Sequence, residues 1–264
     1  EADRIRNLKL DDNDRKPEMT VVRNEFERGE NSPIQALIKE TYQAAFTAHP
    51  YHHSTIGHRS DIEKVSIEKL RAFYDTFYWP DNATVTLIGD FKPEEALGLI
   101  KKSYGVYPRA PHPIPDMYTE EPEQTGPRRV TVKRAGQLGV VTISYKSPAG
   151  LHGDFASIQI LSDILTDGNN SRLYRALVDK GLATNVFAFP GYFRDPSLAI
   201  LFASLAPGAT HDAVEKVILG EVEILKRDGV TAAEVNDAVA KQITDLAFQR
   251  DGSFAIAGQL NEHI

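Results

Sequence analysis

Apolar and polar positions alternate with two periods along the chain. Between residues 17 and 29 ("PEMTVVRNEFERG") apolar side chains recur at helical spacing, and Pro17 suits a first helical position. Ser32-Pro33 restarts a helix through Phe46. Ile67, Leu70, Tyr74 and Phe77 repeat in the same way behind a candidate capping box, Ser60-Asp-Ile-Glu63. Further helices are predicted over 92–104, 155–165, 171–179 and 213–227, and from a second capping box, Thr231-Ala-Ala-Glu234, through Phe248. β-Branched and aromatic runs predict strands at "NATVTLIGD" (82–90), "RRVTVKR" (128–134), "GVVTISYK" (139–146), "ATNVFAFPGYF" (183–193) and "SLAILFASLAP" (197–207). Consecutive strands joined by turns imply antiparallel pairing, hence an α+β fold.

Residues 107–127 contain Pro108, Pro111, Pro113, Pro115, Pro122 and Pro127. Such a stretch is stiff and extended, and reads as a domain boundary. The expected organisation is a first domain over 1–107, a linker over 108–127 and a second α+β domain over 128–264. Strand material followed by paired helices occurs on both sides, as in a weak repeat. The chain starts without Met in charged helical sequence and stops in another helix-like run ("SFAIAGQLNEHI"). This reads as a piece of a longer protein, with the first domain incomplete and the second truncated.

The helix over 17–29 carries an anomaly. At about 100° per residue, Val21, Glu25, Glu18, Gly29, Val22, Phe26 and Met19 follow one another around one arc, with Arg23, Glu27 and Glu30 on the other side. Glu18 and Glu25 are thus expected mid-way across the apolar face, stacked two turns apart. An unpaired buried carboxylate costs several kcal/mol or takes up a proton. A divalent cation, or paired Arg or Lys, would remove that cost, and carboxylate oxygen is an acceptable zinc ligand. The competing account is that both ends snorkel to water.

Composition narrows the chemistry. The 264 residues include no cysteine, which excludes thiolate metal sites, disulfides and cysteine nucleophiles. A net charge of −7 argues against a nucleic-acid partner. No apolar run is long enough to span a bilayer. His49, His52, His53 and His58 crowd the loop "TAHPYHHSTIGHR", but nothing in their spacing aims the rings at one point, so they read as turn histidines. Gly168-Asn-Asn-Ser171 lacks the lysine of a phosphate loop and reads as a helix start.

The segment "PEMTVVRNEFE" resembles the glutamate-pair segment of pitrilysin/insulinase-type zinc peptidases. "HPYHHSTIG", "FYDTFYWPDNATVTLIGDF" and "DGNNSRLYRALVDKGLAT" are similar to further motifs of that family, in the same order, over essentially the whole chain. The resemblance implies consecutive metallopeptidase-like α+β domains, antiparallel sheets with helices packed on them, and a zinc ion held by two histidines of an H-x-x-E-H motif and a later glutamate. By motif position that glutamate is Glu25, and Glu18 is the supporting carboxylate. Zinc would activate water for hydrolysis of a peptide substrate, with a glutamate as general base.

Two departures follow. H-x-x-E-H is absent from residues 1–264, so the two histidine ligands and the general base are expected outside this chain, and the piece alone is expected to be inactive and without Zn2+. Val178 and Thr184 stand where complete members place a substrate-contacting Arg and Tyr, so that pair is expected from a homologous subunit or from further domains of the same chain. The alternative is a non-catalytic homologue serving as partner or scaffold. Bacterial members of this type are often periplasmic, which favours that compartment.

Overall fold

The computed structural model describes residues 1–136, 139–250 and 252–261. The described chain has ten α-helices: α1 (Arg4–Asn7), α2 (Asp12–Glu30), α3 (Pro33–Ala45), α4 (Arg59–Lys64), α5 (Ile67–Phe77), α6 (Pro93–Tyr104), α7 (Phe155–Thr166), α8 (His211–Asp228), α9 (Ala232–Gln249) and α10 (Ser253–Asn261). Three strands, β1 (Val140–Ser147), β2 (Ala183–Phe189) and β3 (Ser197–Leu205), form an antiparallel sheet in the order β1-β3-β2. The fold is α+β.

Two compact units emerge, and neither is continuous in sequence. One comprises 1–31, 54–121 and 249–264; the other comprises 32–53 and 122–248. The second resumes beside the Pro-rich stretch, at Pro122, but it also takes in α3 and the histidine loop as far as His53 from far upstream.

The reason lies in β3. Its sequence, SLAILFASL, is apolar at seven of nine positions because both sheet faces are covered. Leu201, Ala203 and Leu205 point into a core with Leu173, Leu177, Val186, Val214 and Ile218. Leu198, Ile200 and Phe202 point the other way, against Phe46, with Ile34, Ile38, Tyr42 and Tyr51 packed around them. Phe202 stacks on Phe187 of β2 at 4.4 Å between ring centroids.

Polar contacts hold α3 in place. The Tyr42 and Ser197 hydroxyls are 3.1 Å apart. The open carbonyls at the end of α3 accept from two cations of the second half: Arg128 donates to Ala44 O and Lys146 to Ala45 O. Cations at a helix C-terminus both satisfy the orphan carbonyls and complement the dipole. Lys146 Nζ also lies 3.7 Å from the centre of the Phe46 ring. In the following loop, His49 Nδ1 accepts from the Tyr51 amide, His49 Nε2 lies 3.5 Å from the Asp195 carboxylate, and Tyr51 Oη accepts from the Asp195 amide.

Gly191, in the loop between β2 and β3, has φ of 71°. A Cβ there would sit 2.1 Å from the Leu198 carbonyl oxygen. Gly191→Ala therefore combines left-handed strain with a backbone clash. It is expected to cost at least roughly 1–3 kcal/mol, read as a lowered midpoint of thermal unfolding.

Several sequence expectations are corrected. α2 begins at Asp12, not Pro17, because the Asp11 carboxylate caps the Asn13 and Asp14 amides; Pro17 is accommodated inside the helix. Glu63 does not form a box with Ser60: it accepts from Arg59 Nε at 2.8 Å within α4, and the next helix is capped by Ser66. Residues 82–90 and 128–134 form no strand among the described residues: Asn82 ends a 3-10 turn, Pro80–Asn82, and neither run joins a ladder. The helix over 171–179 is real but passes through a π turn, Tyr174–Val178, closed by Asp179 N to Tyr174 O. Leu173 and Leu177, four positions apart on one side, are both fully buried.

Candidate functional site

The capped first turn of α2, with Asp12 and Asp14 favoured by the helix dipole, launches a 19-residue helix that carries both candidate carboxylates. Glu18 and Glu25 share one face, two turns apart, as expected. Their face is not buried. Glu18, Val21 and Glu25 are exposed, Val21 by 58%. The half-buried side is centred on Val22, Phe26 and Met19 and extends to Arg23 and Glu27, roughly a quarter turn from the expected position.

Charged residues border the packed side. Residues assigned to water by the sequence pattern meet α4 instead. Arg59 reaches Glu27 at 3.7 Å and donates to Glu63, while Arg23 Nε lies 3.8 Å from Glu27. Arg15 donates to the Val65 carbonyl. The Arg59 guanidinium holds the Glu63 carboxyl below its ordinary range, chiefly through that hydrogen bond. Val22, Phe26 and Met19 keep the packed side, and the exposed ion pairs border it. Glu18 and Glu25 need no compensating cation where they stand, and the burial cost deduced from the sequence does not arise in this chain.

The other candidates are separate. Val178 packs against the core of the second unit, and Thr184, exposed on β2, donates to the Ser204 carbonyl at 3.3 Å. Neither side chain offers an Arg-like clamp or a phenol. His52 and His53 stack edge to face at 5.0 Å. Among the described residues no three His, Asp or Glu side chains converge as metal ligands, and no helix is long and apolar enough to cross a membrane.

A site the sequence did not single out is the Arg172–Glu234 pair. Arg172 Nε and Nη2 both donate to the Glu234 carboxylate, at 2.7 and 2.8 Å, and Nη2 also donates to Gly229 O. Glu234 closes the expected capping box, accepting from the Thr231 amide and hydroxyl, while its own amide donates to Thr231 Oγ1. Arg172, followed by the Thr231 amide, lowers the Glu234 pKa from 4.5 to about 2. Arg172, Gly229 and Thr231 edge a hollow of about 480 Å³ with Arg175, Glu221 and Asp228. A second hollow, about 400 Å³, lies among Arg6, Lys9, Arg71 and Tyr74. Neither is lined by Glu18 or Glu25.

A depressed carboxylate pKa stabilises the fold fully above pH 4.5, and that contribution fades as pH falls towards about 2. Arg172→Met is expected to cost about 1–3 kcal/mol at pH 7. It should also flatten the acid loss of stability between those two pH values. Urea unfolding at pH 7, 4 and 2.5 reads both effects.

Residues 64–242 match the family described as "Peptidase M16 inactive domain". The chain belongs to the peptidase M16 family. It is of the insulinase/pitrilysin type, a family of zinc metallopeptidases. Over its whole length the M16 chain is 31% identical to "Zinc protease PqqE" of Helicobacter pylori, of which it spans 60%. It is 24% identical to an "Uncharacterized zinc protease" of Mycobacterium tuberculosis over 88% of its own length and 53% of that relative. The crystal structure of a protease from Helicobacter pylori superposes with a TM-score of 0.91 at 32% identity, over 97% of this chain and 63% of that one. The M16 chain therefore spans less than two thirds of each of these three relatives.

Proposed function

We propose that these residues are part of a zinc-dependent endopeptidase that hydrolyses peptides or unfolded protein segments, with Glu25 as one metal ligand and Glu18 as its supporting carboxylate. The observation that carries this reading is the exposed 18/21/25 face of α2. Two carboxylates flank an exposed valine in a chain whose full length aligns with about three fifths of a zinc protease. Such a face suits contact with polypeptide that brings the remaining ligands.

The described residues do not by themselves fit zinc. One ligating carboxylate fixes neither geometry nor charge, and no imidazole is grouped with Glu25. Alone, these residues have no hydrolytic step to perform. In this reading residues 1–107 belong to the metal-bearing domain, 108–127 to a linker and 128–264 to a second domain of related type. The compartment is the periplasm, as the resemblance to bacterial members favours, and a leader in the full reading frame tests it.

A second reading has its own support. Val178 and Thr184 are engaged in packing and a backbone hydrogen bond, so this chain offers no Arg/Tyr pair there. A homologous subunit or further domains would supply it, or the protein would be a non-catalytic partner. One comparison separates these readings. The full-length protein is expected to hold about one zinc per active site and to cleave unstructured peptides in a chelator-sensitive way, whereas residues 1–264 should do neither. Chelator-sensitive cleavage by residues 1–264, or a full-length protein without zinc, overturns the leading reading.

A further inference from the structure

The hollow beside the Arg172–Glu234 pair has a cationic wall and an acidic one. Arg172, Arg175 and Ala176, three and four positions apart in the helix that follows Gly168-Asn-Asn-Ser171, edge it on one side. Glu221, Ile224 and Asp228 edge it from α8. All six residues belong to the second unit.

The two walls do not neutralise each other. Arg172 commits Nε and Nη2 to Glu234 and to the Gly229 carbonyl, and its Nη1 has no partner among the described residues. Arg175 is exposed, and its guanidinium, like the half-buried Glu221 carboxylate, makes no hydrogen bond or ion pair among the described residues. Asp228 is held by Arg227, its neighbour in sequence. The Glu234 hydrogen bond is the main cause of a raised Arg172 pKa, and the charges of Glu234, Glu221 and Asp228 add to it. The acidic wall therefore lies within electrostatic reach of the cationic one.

A volume of about 480 Å³ falls in the range of small-molecule sites. An anion or a cation alone would meet one favourable wall and one repulsive wall. A molecule that carries both charges meets two favourable walls. Ile224, 37% exposed, and Ala176 add apolar surface for the body of such a molecule.

We infer that this hollow binds a free amino acid or short peptide in its zwitterionic form. The carboxylate sits on Arg175 and Arg172 Nη1, where guanidinium donors suit a planar anion. The ammonium sits on Glu221 and Asp228, and an apolar side chain covers Ala176 and Ile224. The site uses neither Glu18 nor Glu25 and stands without the zinc reading.

Calorimetric titration of the full-length protein with L-leucine at low salt tests it. Saturable binding is expected with a Kd of about 1 mM or below. N-acetyl-leucine, without the ammonium, and leucinamide, without the carboxylate, should each bind at least about tenfold more weakly. Glu221→Gln should weaken leucine about tenfold and leave N-acetyl-leucine unchanged, whereas Arg175→Gln should weaken leucine about tenfold and leave leucinamide unchanged. Absence of saturable leucine binding up to about 10 mM overturns the inference. So does an analogue that binds as tightly as leucine, or a variant that weakens leucine and its matched analogue alike. Zinc content of the same preparation keeps the two ideas apart: leucine binding with this pattern in a zinc-free full-length protein retains the hollow and removes the peptidase reading.

Discussion

In the full-length protein, Glu25→Gln is expected to abolish stoichiometric zinc and to lower peptide cleavage by well over about 100-fold, the upper end of what loss of a merely supporting partner produces. The amide keeps the size of the side chain and removes the charge that a hard dication selects. Glu18→Gln is expected to lower zinc affinity or activity by about 10–100-fold, because a supporting carboxylate orients a ligand without being one. The exposure of both residues makes the experiment clean. Both side chains are exposed, so circular dichroism and the unfolding midpoint of residues 1–264 should be unchanged in both variants. Metal analysis of the full-length variants decides the matter. Full zinc occupancy in Glu25→Gln would remove Glu25 from the coordination sphere.

The second large effect concerns α3. Residues 122–248 expressed without 32–53 would leave Leu198, Ile200 and Phe202 facing water, together with Phe187. Each fully buried aliphatic or aromatic side chain contributes about 1.5–3 kcal/mol. Uncovering this cluster removes an amount comparable to the whole stability of a domain, about 5–15 kcal/mol. The truncated product is expected to bind a hydrophobic dye and to lose cooperative unfolding, and a peptide of residues 32–53 should partly restore both. The point variant Phe202→Ala in the intact chain should cost about 3–5 kcal/mol. Sharp, cooperative unfolding of residues 122–248 alone would show that the sheet does not depend on the upstream segment.

Local features of the second unit were legible in the sequence because local chemistry decides them. The Thr231–Glu234 box needs only residues three apart, and it forms as read. The strands near 139–146, 183–189 and 197–205 were visible as β-branched runs whose partners lie within the chain. The same reading overreached at 82–90 and 128–134, because a strand is a pairing and composition says nothing about whether a partner is present. Two further features required three dimensions. The side on which α2 packs brings together Arg23, Arg59, Glu27 and Glu63, residues on two helices whose charges meet only after folding. The union of α3 with β3 depends on contacts such as Tyr42 to Ser197, 155 positions apart. Family resemblance selected Glu18 and Glu25 where helix geometry supplied the wrong reason for their placement.

That 155-residue separation bears on the order of biosynthesis. At roughly 5–20 residues per second, α3 leaves the ribosome about 8–30 s before the strand that covers it exists. During that wait Ile34, Ile38, Tyr42 and Phe46 have no lid, so the apolar face of α3 stays open to other contacts until β3 is made.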